Sequence, residues 1–184
     1  MANKVEFGIS NLHIGTYADN NGTVTMGESY HQKGAVSFSP EEQSENNTFY
    51  ADNIPYYSSY TGGTFEGDLE VAKFDDEFKT QFMGYIEKAD GGIGIVKNAT
   101  KPNVYIAFEI DGDAQKRRVI IYNCSLGAIN REYATVEDSI EPATETVSVT
   151  ANGDNTTGLT MVSYNEGDQG YATLFTAPPA PSLT

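Results

Sequence analysis

The chain has 184 residues, the length of one domain, and carries 26 acidic against 11 basic residues, for a net charge of −15 at pH 7. This charge argues against a protein that binds nucleic acid tightly, because such binding requires Lys and Arg to neutralise phosphates. The 12 Tyr, 9 Phe and 18 Gly are typical of strands joined by tight turns, so we expect a mainly β domain over residues 1–184.

The N-terminal residues, the lack of long apolar stretches and the cysteine content predict where the protein is made. The first residues, MANKVEFGIS, lack the basic start and apolar core of a secretory signal, and no stretch approaches the ~20 apolar residues of a membrane span. The single cysteine, Cys124, lies in the apolar run VIIYNC and cannot form an intrachain disulfide. We therefore expect no membrane partner and synthesis in a reducing cytoplasm.

The N-terminal region predicts a β-hairpin. Apolar residues alternate along Lys4–Tyr17, and the alternation shifts near Ser10 and Asn11, which indicates a bulge within one long strand. The run Asp-Asn-Asn-Gly at 19–22 is a turn signal, and a return strand follows over Thr23–Met26. A further short strand is predicted at Ala35–Phe38.

The segment 39–63 loses this alternation and is predicted to be a long loop. It begins with an acidic, polar run and then gathers five rings around Pro55, namely Phe49, Tyr50, Tyr56, Tyr57 and Tyr60. Loops of this length are usually functional or mobile. Tyrosine suits a contact surface, because its ring can be buried while its hydroxyl stays in water. Two interpretations stay open: a flap folded on its own domain, or a contact surface for another subunit.

The segment Thr64–Val71 is the clearest strand in the sequence. Its alternation puts Phe65, Leu69 and Val71 on one face and three acids on the other. We call these acids, Glu66, Asp68 and Glu70, the acidic stripe.

A short helix is predicted at about Asp75–Met83. Phe74, Phe78 and Phe82 recur at i, i+4 and i+8, so their rings share one face of a helix. Asp75 is the expected N-cap, and Gly84 supplies the stop. Because so short a helix is marginal alone in water, we expect the three rings to pack on the rest of the chain.

The C-terminal half predicts more strands and then an extended arm. The segment Gly127–Glu145 is expected to be a loop, and the arm at 177–184 is expected to be extended because of Pro178, Pro179 and Pro181. The predicted strands are Ile93–Lys97, Val104–Ile110, a central apolar strand at Arg117–Leu126, a hairpin of Thr146–Ala151 with Leu159–Tyr164, and a last strand at Tyr171–Thr176.

No pattern indicates catalysis, a metal or a cofactor. His13 and His31 have no Cys or His at metal-ligand spacing, and no nucleophile elbow or phosphate loop occurs. Asp111-Gly112-Asp113 is better explained as a turn than as a calcium loop, because Tyr122 stands where the twelfth position requires Glu. We expect a protein that is not an enzyme, with no cofactor-binding and no metal-binding residues.

The order of several segments resembles one protein family. The segments are MANKVEFGISNLHIGTY, FYADN, FDDEFKTQFMGY, KPNVYIAFE, DGDAQKRRVIIYN, REYATVEDS and GYATLFTAPPAP. Together they look like the major tail protein of long-tailed, non-contractile bacteriophages of Gram-positive hosts. The resemblance covers nearly the whole chain, and FYADN, the helix segment and the proline-rich end are its most specific parts.

The resemblance implies an antiparallel β-sandwich or barrel-like tail-tube domain with one flanking helix. It implies stacked rings, usually hexameric, that are built from copies of the chain, join other phage tail proteins in the virion, and surround a channel for DNA. The aromatic loop and the proline-rich arm are then expected to form subunit contacts.

The acidic stripe is expected to line the channel and let DNA pass without tight binding, although an outer-surface position is an equal rival. The alternative function is a carbohydrate-binding or adhesion module, which would also be acidic and rich in Tyr.

Overall fold

The computed structural model describes residues 8–133 and 143–183, which form a mainly antiparallel β structure with one short helix among them. Within these residues no helix is long and apolar enough to cross a membrane. The elements are β1 Gly8–Asn20, β2 Thr23–Met26, β3 Tyr30–His31, β4 Ala35–Phe38, β5 Glu41–Ala51, β6 Ile54–Val71, α1 Asp76–Phe82, β7 Ile86–Glu87, β8 Ile93–Gly94, β9 Asn103–Asp111, β10 Arg118–Arg131, β11 Glu145–Ala151 and β12 Met161–Tyr164.

One large sheet contains ten of these strands in the order β2-β1-β9-β10-β11-β6-β4, with β3 paired to β1, β12 to β10 and β5 to β6. The strands β7 and β8 form a separate small pair. Strand β4, at one end of the large sheet, lies against β1, near the other end. The sheet therefore curls around its own apolar face, which confirms the predicted sandwich or barrel-like class.

The central strands β9 and β10 are buried on both faces. Val104, Ile106 and Phe108 of β9 point into the main core, together with apolar residues of β1, β6, β10, β11 and the helix. The alternate residues, such as Tyr105 and Ala107, enter a second apolar cluster on the opposite face. Burial on both faces explains why the predicted central strand is almost continuously apolar.

The first hairpin agrees with its sequence signals. The β1–β9 register shifts between Ser10 and His13, and Asn11 has a φ of +49°, so the predicted bulge is present. Asn21 and Gly22 have φ values of +54° and +87°, which a two-residue turn between β1 and β2 requires. Residues 4–7 of the predicted first strand lie outside the described part of the chain.

The helix forms where it was predicted, and its three rings are buried. Phe78 stacks on Phe74 with centroids 4.5 Å apart and contacts Phe82 at 5.3 Å, and each of the three rings is at most 1% exposed. Asp75 occupies the N-cap position, but its side chain makes no capping hydrogen bond. Its carboxylate instead accepts a hydrogen bond from the Tyr30 hydroxyl at 3.0 Å, which ties the helix start to β3.

The prediction of a long loop at 39–63 is wrong. Most of this segment forms the hairpin of β5 and β6, whose turn is Asp52-Asn53 with φ values of +53° and +61°. Alternation of apolar and polar residues indicates a strand only where one face is buried. Both faces of this hairpin are largely exposed in the single chain, so its sequence shows no such alternation. The Asp-Asn pair was the local signal that the sequence interpretation missed.

Three predictions in the C-terminal half are also corrected. Strand β12 pairs with β10 instead of forming a hairpin with β11, so both strands lie along the same edge of β10. Residues 171–176 form turns instead of a strand, and Leu174 among them is buried against the second apolar cluster. The predicted loop at 127–145 begins only after Arg131, where β10 ends, and 134–142 lies outside the described residues.

Gly67 allows the chain to cross the edge of β6. That edge pairs first with β5 and then with β4, and Ser39 and Pro40, which join the two partners, pass directly over Gly67. A Cβ atom at residue 67 would collide with the Ser39 carbonyl oxygen. A glycine inside a strand often marks such a close approach of two backbones.

Candidate functional site

The hairpin of β5 and β6 projects beyond the sheet. Strand β6 pairs with β11 only over Phe65–Val71, whereas residues 44–62 pair with one another and with no other described strand. At about 3.3 Å per residue, eight residues in each strand give a ribbon of about 25 Å. We call residues 44–62 the aromatic hairpin.

The aromatic hairpin exposes most of the large side chains that it carries. A two-stranded ribbon is marginally stable alone, and side chains of this size in one patch mark an interaction surface. Their exposed fractions are 63% for Phe49, 63% for Tyr50, 59% for Ile54, 75% for Tyr56, 63% for Tyr57 and 73% for Tyr60.

Strand pairing sorts these side chains onto two faces. Phe49 lies directly opposite Tyr57, so their rings share one face of the ribbon. The next rung, on the other face, is polar, with the hydroxyl oxygens of Thr48 and Ser58 3.2 Å apart. Alternation puts Tyr60, which lies opposite Asn46, on this second face as well, so the hairpin carries exposed aromatic rings on both of its faces.

The predicted arm lies against its own domain. Pro178, Pro179 and Pro181 are half-buried, and the Tyr122 hydroxyl donates a hydrogen bond to the Pro179 carbonyl at 3.0 Å. Burial raises the pKa of Tyr122 well above its ordinary value, so this hydroxyl keeps its proton and remains a donor. Beside the arm runs a groove of about 460 Å³ that Tyr164 helps to line.

The acidic stripe occupies the outer face of β6, but its members are not equivalent. Glu66 and Asp68 are exposed and line an open groove of about 520 Å³ with Glu41 of β5. Glu70 is half-buried and accepts hydrogen bonds from Thr144 at 2.6 Å and from Ser37 at 3.0 Å. These bonds hold the pKa of Glu70 below its ordinary value and engage its carboxylate within the chain.

Sequence reasoning missed two features near these surfaces. Ile54 is exposed at the tip of the aromatic hairpin and was not a candidate contact, although its place directly after the Asp52-Asn53 turn was a usable signal. The stacking of His13 on Phe175 joins residues 162 positions apart, so no local pattern could have found it.

Two observations on the described residues concern metal binding and thiol reactivity. They contain no group of three His, Cys, Asp or Glu side chains placed to hold a metal ion. Cys124 is buried, and burial raises the pKa of its thiol, which disfavours the reactive thiolate.

The chain matches a known family in sequence and resembles solved structures in fold. A family model described as phage tail tube protein matches residues 2–160. A cryo-EM structure of the anti-feeding prophage cap, a tube-terminating cap, has a TM-score of 0.51 at 8% identity and covers 88% of this chain and 93% of that chain. A subunit of an extracellular contractile injection system, the PVC sheath-tube complex in its extended state, gives 0.50 at 9% identity, with coverages of 84% and 88%.

No curated protein sequence matches the chain. The two structural likenesses show the fold alone, because the identities are so low. Together with the family match they do not favour the alternative of a carbohydrate-binding module.

Proposed function

Since the chain belongs to the phage tail tube protein family, we propose that its copies dock through the aromatic hairpin into stacked hexameric rings, which form a channel for DNA. The protein is a structural component of the tail tube. We further propose that it is made in the cytoplasm of a Gram-positive host, assembles with other tail proteins of a long-tailed, non-contractile phage, and has no enzymatic role.

The exposed aromatic hairpin is the observation that carries this proposal. Burying a large apolar side chain contributes about 1.5–3 kcal/mol. Burial of the six exposed side chains against another copy would therefore stabilise an assembly substantially. Within the described residues, the strand edge of β5 that faces away from β6 has no partner along the aromatic hairpin. Such an edge is a template for pairing with another chain.

Repeated head-to-tail contacts require two different surfaces on each copy. The aromatic hairpin is one of them, and the C-terminal arm with its flanking groove is the second. The Tyr122 hydroxyl and the half-buried prolines hold the arm against its own domain, and a neighbouring copy would compete with these contacts.

Polymerisation of the purified protein tests this role. Replacing the facing pair Phe49 and Tyr57 by Ser should leave a folded subunit that forms no tubes by sedimentation and electron microscopy, because one face of the hairpin loses its aromatic pair. The matched control replaces Asn47 and Ser59, the facing pair two rungs nearer the base, by Ala. Full-length tubes from the Phe49 and Tyr57 variant would contradict the proposal.

We also propose that Glu66 and Asp68 face the channel. Both carboxylates are exposed on the outer face of the sheet, and repetition around a ring would give a wall of one sign that repels phosphates. Glu70 stays unchanged in the test of this proposal, because its carboxylate also accepts hydrogen bonds from Thr144 and Ser37.

DNA release from assembled particles distinguishes the channel from the outer surface. Replacing Glu66 and Asp68 by Lys, with Glu70 kept for its structural bonds, should slow genome exit at low salt and restore it at high salt through counterion release. The control carries the same charge change at Glu77 and Glu87, which are exposed elsewhere. Unaltered exit at low salt from fully assembled tails would place the stripe outside the channel.

A further inference from the structure

Five side chains from four parts of the chain stack into one column, which we call the ring column. His31 of β3 lies parallel to His13 of β1, with centroids 4.7 Å apart and planes 3° apart. The other side of His13 stacks on Phe175 at 4.6 Å. The Arg118 guanidinium lies 4.6 Å from the Phe175 ring and 4.0 Å from the Tyr171 ring.

The ring column holds the segment that covers the second apolar cluster. Arg118 also donates a hydrogen bond to the Tyr171 carbonyl at 2.8 Å. Leu174, which lies between Tyr171 and Phe175 in the sequence, is fully buried against that cluster, which includes Tyr17, Tyr105 and Tyr122. Lifting residues 171–177 would therefore uncover a face rich in tyrosine.

His13 lies inside the column, between the His31 and Phe175 rings. We propose that the ring column is an acid-sensitive latch: neutral His13 keeps the C-terminal segment closed on the sheet, and protonation of His13 favours its opening.

The groups that surround His13 explain this sensitivity. His31 faces one side of the imidazole, and Arg118 lies beyond Phe175 on the other side, so a proton on His13 would join a column that already holds a cation. Glu109 of β9 cannot offset it fully, because its carboxylate pairs with Arg118 at 3.2 Å. Nδ1 of His13 lies 2.9 Å from the Ser29 hydroxyl, and neither that hydroxyl nor the nearby Tyr105 phenol brings a negative charge.

The direction of the pH effect follows from the pKa of His13. Burial, aided by His31 and Arg118, lowers this pKa from 6.5 to about 4. A group whose pKa is lowered in the closed state stabilises that state above its ordinary pKa and loses this contribution as the pH falls towards the lowered value. If the open state restores the ordinary value, the opening constant should rise by up to about 30-fold between pH 8 and pH 5.

Native-state hydrogen exchange, measured by NMR on the unassembled full-length subunit, tests the latch. The reporters are the amides of Tyr171, Thr176 and Ala177, which donate to the carbonyls of Asp168, Thr173 and Thr173 at 3.0, 3.0 and 2.7 Å. Their protection factors, corrected for intrinsic exchange, should fall by up to about 30-fold from pH 8 to pH 5, while amides of the β9–β10 ladder keep theirs.

Three variants separate the latch from a structural role. His13→Phe keeps a stacking ring without a titrating group, so protection of the segment should no longer depend on pH. His31→Phe keeps His13 and should retain most of the dependence. Phe175→Leu breaks the column and should lower protection already at pH 8.

An unchanged pH dependence in His13→Phe, or full protection in Phe175→Leu, would overturn the proposal. A parallel fall in the β9–β10 amides would do so as well, since it would show global unfolding instead of local opening.

Discussion

The helix provides the sharpest test of the fold, through the substitution Phe78→Ala. Phe78 is completely buried, stacks on Phe74 at 4.5 Å, contacts Phe82 at 5.3 Å and approaches Tyr30 at 6.4 Å. Truncating a buried phenylalanine costs about 3–5 kcal/mol through lost burial and the cavity that remains. The upper part of this range is expected here, because two close ring contacts are lost as well.

Thermal unfolding followed by far-UV circular dichroism measures this loss. At about 2–4 °C per kcal/mol for a domain of this size, Tm should fall by roughly 10–15 °C. The control is Gln81→Ala on the exposed side of the same helix, where the change should stay within about 0.5 kcal/mol. A Phe78→Ala protein that melts within about 2 °C of the parent would refute the conclusion that this ring anchors the helix.

Three further outcomes are expected. Deleting residues 178–184 should leave a folded subunit that polymerises poorly in a sedimentation assay, and full-length tubes from the truncated protein would show the arm to be dispensable. Gly67→Ala should destabilise the subunit in urea unfolding, because the new Cβ would meet the backbone of Ser39, and an unchanged midpoint would contradict this close approach. Burial opposes ionisation of Asp154, but hydrogen bonds from Tyr17 and Thr157 outweigh it and lower the pKa of the carboxyl, so its contribution is present at pH 7 and lost in acid. Asp154→Asn should therefore unfold more easily than the parent at pH 7, with a smaller difference at pH 3; an equal difference at both pH values would refute the linkage.

Local signals in the sequence determined several elements of this protein. The spacing of Phe74, Phe78 and Phe82 places the helix, and Asn21-Gly22 forms the first turn. The break in alternation at Asn11 marks the bulge in β1. Each of these signals depends on neighbouring residues and on a face that is buried in the same chain, so composition and periodicity suffice.

The aromatic hairpin shows where local signals fail. Its tyrosines were recognised as candidate contacts, but its strands were not, because a ribbon exposed on both faces has no reason to alternate polar and apolar residues. The cross-strand pairing of Phe49 with Tyr57 became visible only with the register.

The tertiary structure alone decided how distant segments meet. Strand β12 pairs with β10 because β10 extends beyond its contact with β11 and offers a free stretch of the same edge. Hydrogen bonds from Ser37 and Thr144 separate Glu70 from the rest of the acidic stripe. The ring column joins His13 to Phe175 across 162 residues. Such contacts depend on which edges and faces remain uncovered once the sheet has curled, and that information does not reside in any one stretch of sequence.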